Sequence, residues 1–137
     1  MMYRIDVEVV APVNDTEVTE RVVTAVENLV PGADIERAPG EVRAETHSLD
    51  HFSELLHEQE ILDSARGEFF DGRRGDTVSV ALKKQAAFEG VVNFAVGEPD
   101  ELGDIHLRVR VHEPSVEEYV NHVAPPTEDG RPISDRQ

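Results

Sequence analysis

The sequence has no cysteine, no tryptophan and only two lysines among its 137 residues. The absence of cysteine excludes disulfide bonds, thiolate metal sites and a cysteine nucleophile. No apolar run approaches the roughly 18 residues that a membrane-spanning helix needs. The chain becomes charged within its first six residues, which is not the pattern of a signal peptide. We therefore expect a soluble cytoplasmic protein.

The basic residues are few and are nearly all arginine. There are 29 acidic residues against 13 basic ones, which gives a formal net charge of −16. Such a chain repels itself at low ionic strength, whereas at molar salt the Debye length falls to about 3 Å. The composition predicts a halophilic protein, and an acidic protein from an ordinary cytoplasm is the alternative. Without an overall basic surface, any contact with RNA must be local.

Alternating and helical apolar patterns divide the chain into strands and helices. Strands are predicted at 3–10, 33–38, 41–46, 77–82, 91–96 and 105–111. Helices are predicted at 18–30, 49–70 and 114–123, with a short turn or helix near 85–87. The strands alternate in polarity, so one sheet face is exposed and helices cover the other.

This order predicts an α+β fold, a two-layer sandwich with a mainly antiparallel sheet and helices on one face. The first six elements also match the ferredoxin-like split order, which is the alternative description. We expect a single domain over 1–124. The segment 125–137 contains prolines and many charges, and predicts an extended or flexible tail.

The stretch 66–84 contains five basic and three acidic residues in a chain that is otherwise strongly acidic. Arg73 and Arg74 precede a strand that ends at Lys83 and Lys84, so the two pairs are separated by roughly 20–25 Å. That span could contact several phosphates along a nucleic-acid backbone. Alternatively, the arginines balance nearby aspartates and the end of the preceding helix.

A second group of basic residues follows one parity of the last core strand: His106, Arg108, Arg110 and His112. All four point to the exposed face, where they could lie along RNA. Ion pairs with acidic residues on neighbouring strands are the alternative explanation. No aromatic residue has outward parity on the clear strands, although RNA-binding sheets usually present aromatics for base stacking.

Two polar residues interrupt the apolar face of the predicted helix 49–70. Gln59 could bridge backbone groups at a strand end, because a polar group on that face needs a partner. Arg66 could bind the last carbonyls of its own helix, or Asp63 one turn earlier. Ile61 faces the other way and is a candidate subunit contact.

The six histidines form no recognisable metal or catalytic motif. His47 and His51 have helical metal-pair spacing, but Ser48 is the expected helix cap, so His47 lies outside the helix. No nucleophile motif or phosphate-binding loop is present. We expect no metal, no cofactor and no catalytic residue, with a hydrolase as a minor alternative.

Three stretches resemble a known family: QEILDSAR at 59–66, LKKQAAFEGVVNF at 82–94 and LGDI at 102–105. They are similar to the uncharacterised archaeal protein family 0201, which is grouped with archaeal RNA-binding proteins, some of them exosome-associated. The resemblance covers nearly the whole chain. It implies an archaeal source, here a haloarchaeal one, and a fold similar to the ribosomal protein that binds the smallest ribosomal RNA.

We therefore predict a non-enzymatic RNA-binding domain, with protein partners of an RNA-processing complex also possible. The first candidate contacts are Arg73, Arg74, Lys83, Lys84 and Gln85, and the second are Arg108 and Arg110. Replacing both lysines by alanine should weaken RNA retention without lowering the melting temperature. The alternative is a protein-interaction or scaffold module, a homodimer through the long helix and an edge strand.

Overall fold

A computed structural model describes residues 3–97, 102–128 and 131–132 of the chain. The strands are β1 (Arg4–Pro12), β2 (Asp34–Ala38), β3 (Glu41–Thr46), β4 (Arg73–Arg74), β5 (Thr77–Lys83), β6 (Asp104–Glu113), β7 (Thr127–Glu128) and β8 (Arg131–Pro132). The helices are α1 (Thr19–Leu29), α2 (Asp50–Glu58), α3 (Leu62–Asp71), α4 (Lys84–Phe88) and α5 (Val116–Val123). None of these described helices is long and apolar enough to cross a membrane.

Six strands form one sheet in the order β2-β3-β1-β6-β5-β4, and every neighbouring pair is antiparallel. The part β2-β3-β1-β6 has the split βαβ order, and the hairpin β4-β5 extends the sheet beyond β6. The predicted α+β sandwich with a mainly antiparallel sheet is confirmed.

Alternation along the strands decides which sheet face is buried. In β1, Ile5, Val7 and Val9 are at most 3% exposed, while the residues between them point away from the core. β6 repeats this pattern from Ile105 to Val111. The helices pack on this apolar face through buried residues such as Phe52 and Val120, which leaves the opposite face of the sheet exposed.

The helix predicted at 49–70 is two helices, because the helical conformation is interrupted between Glu58 and Leu62. Glu60 has a φ of 58°, in the left-handed region that a continuing helix cannot contain. Ile61 is half-buried and packs against the core, and a subunit contact there stays a prediction.

Gln59 bridges backbone groups as predicted. Its Nε2 donates to the Val92 carbonyl at 2.9 Å, and the Val92 amide donates to its Oε1 at 2.8 Å. The partners of Arg66 differ from those predicted. Its Nη1 donates to Asn121 Oδ1 at 2.6 Å and to the Ala124 carbonyl at 3.2 Å. Arg66 therefore joins α3 to the end of α5.

The strand predicted at 91–96 is reduced to a single bridge between Leu82 and Phe94. Some backbone groups of this segment bond to the Gln59 side chain, and others bond to the edge of β5. At that edge the Ala95 amide donates to the Ala81 carbonyl at 2.9 Å. A backbone shared in this way cannot form a regular ladder. The segment instead covers one end of the outer edge of β5.

Gly72 allows the chain to cover the other end of that edge. The Ser79 amide donates to the Gly72 carbonyl at 3.0 Å, and a Cβ on Gly72 would lie 1.9 Å from the Ser79 carbonyl oxygen. Only glycine permits this approach without a shift of the backbone. β4 then pairs with the start of β5.

The segment after α5 contains a short hairpin of β7 and β8. The Thr127 hydroxyl donates to the Asp63 carboxylate on α3, which attaches the start of this segment to the helix layer. Residues 133–137 lie outside the described residues, and the predicted boundary at 124 stays a prediction.

Candidate nucleic-acid interface

The exposed face of the sheet is divided by charge along the boundary between β1 and β6. On β4, β5 and β6 this face carries a set of basic residues that we call the cationic strip: Arg74, Lys83, His106, Arg108 and Arg110. On β2, β3 and β1 it carries mainly carboxylates: Asp34, Glu36, Glu41, Glu45, Glu8 and Asp6. An anionic ligand on this face would therefore lie over the strip and away from β1.

Arg108 is the central residue of the strip. It stands opposite Ser79 on β5 and Glu8 on β1. Its side chain is exposed and forms no hydrogen bond or ion pair with any described residue. Its guanidinium can accept a new partner without breaking an existing contact. Guanidinium groups bind phosphate through two parallel hydrogen bonds.

Arg110 lies two residues after Arg108 on β6, opposite Thr77 and Asp6. Its Nε lies 3.4 Å from Asp76 Oδ2, and its side chain remains 61% exposed. The pKa of Asp76 is below its ordinary value, first because the Thr77 hydroxyl donates to its carboxylate and then because of Arg110. This weak, exposed pair leaves part of the guanidinium open to solvent.

The adjacent residues Arg73 and Arg74 point to opposite faces of the sheet. Arg74 pairs with Thr77 and shares the exposed face, whereas Arg73 pairs with Val78, which is buried under the helices. The Nη1 of Arg73 lies 3.0 Å from Glu117 Oε1 on α5. Arg73 is therefore tied to the helix layer and is not part of the strip, contrary to the prediction that both arginines act together.

Lys84 is buried, and its prediction as an RNA contact is wrong. The residue is 1% exposed. Its Nζ donates to the Pro12 carbonyl, to the Leu102 carbonyl at 2.7 Å and to Glu17 Oε1 at 2.9 Å. These three acceptors satisfy all three N–H donors of the ammonium group.

Glu17, which the sequence analysis missed, is the counter-charge of Lys84. Its side chain is 8% exposed and also accepts from the Asn14 backbone amide and Nδ2, both at 3.0 Å. Burial alone would raise the pKa of Glu17, but the hydrogen bonds from Asn14 and Lys84 outweigh it, so the pKa is lowered. This pair holds the starts of α1 and α4 together and has a structural role.

A helical pattern could have indicated that Lys84 is buried. Lys84 is the first residue of α4, and Ala87, three residues later on the same helix face, is fully buried. Residues at i and i+3 share a face. The strand pattern ending at Lys83 concealed this change of period.

Gln85 lies on the exposed side of α4, away from the sheet face. It borders an open depression of about 500 Å³, whose lining includes Arg21 and Phe88. The Arg21 guanidinium lies 5.4 Å from the centre of the Phe88 ring. Of the seven predicted contacts, the structure brings together Arg74, Lys83, Arg108 and Arg110, and separates Arg73, Lys84 and Gln85 from them.

A second depression, of ≈ 490 Å³, lies on the exposed sheet face where the two charge halves meet. Arg108, Arg110 and Thr77 line one side. On the other side Asp6 Oδ2 lies 2.7 Å from His112 Nε2, and Oδ1 lies 3.2 Å from His47 Nδ1. The hydrogen bond with His112 is the main reason that the pKa of Asp6 is lowered. Within the described part of the chain, no group of three or more histidines and carboxylates is placed to hold a metal ion.

A family model described as RNA binding matches residues 6–111, which include the whole strip. A UPF0201 protein of Thermococcus onnurineus is 36% identical over 136 residues, with 93% of this chain and 97% of the relative covered. The chain belongs to the UPF0201 family. A UPF0200/UPF0201 protein of Archaeoglobus fulgidus is also 36% identical, but the match spans only 41% of that relative's length.

Solved UPF0201 structures have the same fold. A UPF0201 crystal structure from Methanococcus jannaschii superposes with a TM-score of 0.86 at 32% identity, covering 93% of this chain and 98% of that one. Another uncharacterised UPF0201 protein gives a TM-score of 0.84 at 36% identity, covering 93% and 99%. The resemblance in the sequence to archaeal family 0201 is thereby confirmed.

Proposed function

We propose that this UPF0201 protein is a non-enzymatic RNA-binding domain that contacts RNA through the cationic strip. The supporting observation is the division of charge on the exposed sheet face, which leaves Arg108 unpaired among the described residues. The RNA-binding family match covers the same residues. We further propose that it acts in an archaeal cytoplasm, with or without protein partners of an RNA-processing complex.

The acidity of the chain limits how such binding can work. With a net charge of −16, the molecule gains little from nonspecific attraction, which normally comes from many phosphate contacts. Binding must come from a few guanidinium–phosphate pairs and neighbouring hydrogen bonds. Such contacts are short-ranged and are screened less than separated charges.

The test replaces Arg108 and compares it with a matched arginine on the acidic half of the same face. Arg43 is exposed on β3 and paired with Glu41. In fluorescence anisotropy with a labelled structured RNA at molar KCl, Arg108→Ala should weaken binding about tenfold, while Arg43→Ala should not weaken it. Both variants should melt at the wild-type temperature, since both side chains are exposed.

Two results would contradict the proposal. One is RNA binding by wild type that Arg108→Ala leaves unchanged. The other is a protein that, isolated from its own cells, carries a protein partner and no nuclease-sensitive ultraviolet absorbance. The second result would favour the scaffold function. Bound RNA would be easy to detect, because a chain without tryptophan absorbs little ultraviolet light itself.

A further inference from the structure

We infer that the strip recognises double-stranded RNA, through phosphates and 2′-hydroxyls of its shallow minor groove, and not single-stranded bases. This inference rests on the proposed function and names the class of RNA. It is carried by two features of the described residues: where the aromatic rings lie, and which hydroxyl groups stand beside the arginines.

All the phenylalanine and tyrosine side chains pack in the hydrophobic core or against it. The chain has five phenylalanines, two tyrosines and no tryptophan. Every one of these rings is buried in the core or packed against it: Tyr3, Phe52, Phe69, Phe70, Phe88, Phe94 and Tyr119. Sequence-tolerant binding of single strands depends on aromatic side chains on which successive bases stack. The exposed sheet face has no such platform.

The histidines do not replace these rings. The His112 imidazole is held against the Asp6 carboxylate at 2.7 Å. His106 is exposed on the strip, opposite Val10 and Ala81, and is its only imidazole among the residues described. One ring can stack on one base, but it cannot hold a run of unpaired bases.

Each arginine of β6 stands beside a hydroxyl group on β5. Ser79 is opposite Arg108, and Thr77 is opposite Arg110. Cross-strand partners lie about 5 Å apart, and successive pairs on one face are about 6.7 Å apart. The arrangement therefore places a guanidinium group beside a hydroxyl group twice along the strands. The guanidinium can bind a phosphate, and the hydroxyl can hydrogen-bond to a ribose 2′-hydroxyl.

Both hydroxyls can take part in a new hydrogen bond. Ser79 is exposed, and its side chain has no partner in the described part of the chain. The Thr77 hydroxyl donates to Asp76 Oδ1 at 3.1 Å, so its oxygen can still accept. Double-stranded RNA is recognised mostly by shape and by 2′-hydroxyl and phosphate contacts across its wide, shallow minor groove.

The carboxylates of β1 and β3 restrict where a duplex can lie. Glu8 borders Arg108 on the side opposite to Ser79, and Glu45 follows it on β3. These charges repel phosphates, so the duplex would lie over β6 and β5 and extend outward past β4. β5 spans about 20 Å from Thr77 to Lys83, which is long enough for contacts at both of its ends.

The experiment measures how tightly the full chain binds three labelled probes of one sequence in molar KCl. They are an RNA duplex of about 16 base pairs, the matching DNA duplex, and one RNA strand alone. Anisotropy should show the RNA duplex bound at least about tenfold more tightly than either other probe. Ser79→Ala should weaken RNA-duplex binding about two- to tenfold and leave DNA-duplex binding unchanged. Ser64→Ala, at an exposed position on α3, is the matched control.

The outcomes separate this inference from the proposed function. Equal or tighter binding of the single strand would overturn the inference, and so would RNA-duplex binding that Ser79→Ala does not weaken. In both cases, a loss of RNA binding in Arg108→Ala would still support the strip as an RNA site. If none of the probes binds, the proposed function fails as well.

Discussion

Two adjacent lysines, the only ones in the chain, have opposite environments. Lys83 ends β5 on the exposed sheet face, while Lys84 begins α4 and turns into the protein. A buried ammonium group is tolerated only when it is paired and fully hydrogen-bonded. Glu17 and the carbonyls of Pro12 and Leu102 meet that need. Removal of Lys84 is therefore expected to destabilise the protein, contrary to the prediction that both lysines can be replaced without lowering the melting temperature.

Lys84→Ala should lower the free energy of unfolding by about 3–5 kcal/mol, because it leaves Glu17 buried without its counter-charge. Lys83→Ala removes the same charge from a position without a side-chain partner among the described residues, and should leave the melting temperature within about 2 °C of wild type. Circular dichroism melts in molar KCl measure both. Equal stability of the two variants would show that the Lys84 contacts do not hold the fold together.

At the scale of elements, the sheet places like charges side by side. Asp34 pairs with Glu45, and Glu45 pairs with Glu8, so three carboxylates form a row across β2, β3 and β1. Like charges directly opposite each other destabilise a sheet. Screening at molar salt, where the Debye length is about 3 Å, removes most of that repulsion.

Glu45→Gln should therefore raise the melting temperature by about 2 °C at low salt and change it little in molar KCl. Glu58→Gln, at an exposed position on α2 outside the row, removes the same charge and serves as control. Melts of both variants at the two salt concentrations give the comparison. A rise that is the same for the two variants would mean that net charge matters and the row does not.

At the scale of the whole molecule, the excess of acidic residues predicts that stability depends on the salt concentration. With a net charge of −16, the compact state is opposed by self-repulsion that extends over a Debye length of about 30 Å at 0.01 M salt. The small number of lysines and the excess of carboxylates favour a protein adapted to concentrated salt.

The melting temperature of the wild-type protein should rise as KCl is increased from about 0.01 M to about 1 M, as the Debye length shortens tenfold. Differential scanning calorimetry at a series of KCl concentrations measures this directly. A series in sodium sulfate or potassium glutamate at matched ionic strength separates screening from effects of one particular salt. A melting temperature that does not depend on salt would contradict the halophilic interpretation.

Much of the fold followed from the sequence because strand alternation is a local, two-residue pattern. The residues Ile5 to Val9 and Ile105 to Val111 repeat an apolar residue at every second position, which determines both the strand and its buried face. The same parity placed Arg108 and Arg110 on the exposed face, as the structure confirms. Gln59 was also predictable, since an amide on an apolar helix face requires a polar partner.

Only the tertiary structure decided the break at Glu60, the loss of the strand at 91–96 and the groups that bind the Lys84 ammonium. Each depends on partners far away in sequence: Val92 lies 33 residues from Gln59, and Pro12 lies 72 residues from Lys84. A local pattern shows that a polar group needs a partner, but the fold determines which distant carbonyl or carboxylate is within reach. For the same reason, the sequence determined which residues are basic, and the order of the strands decided which of them share a surface.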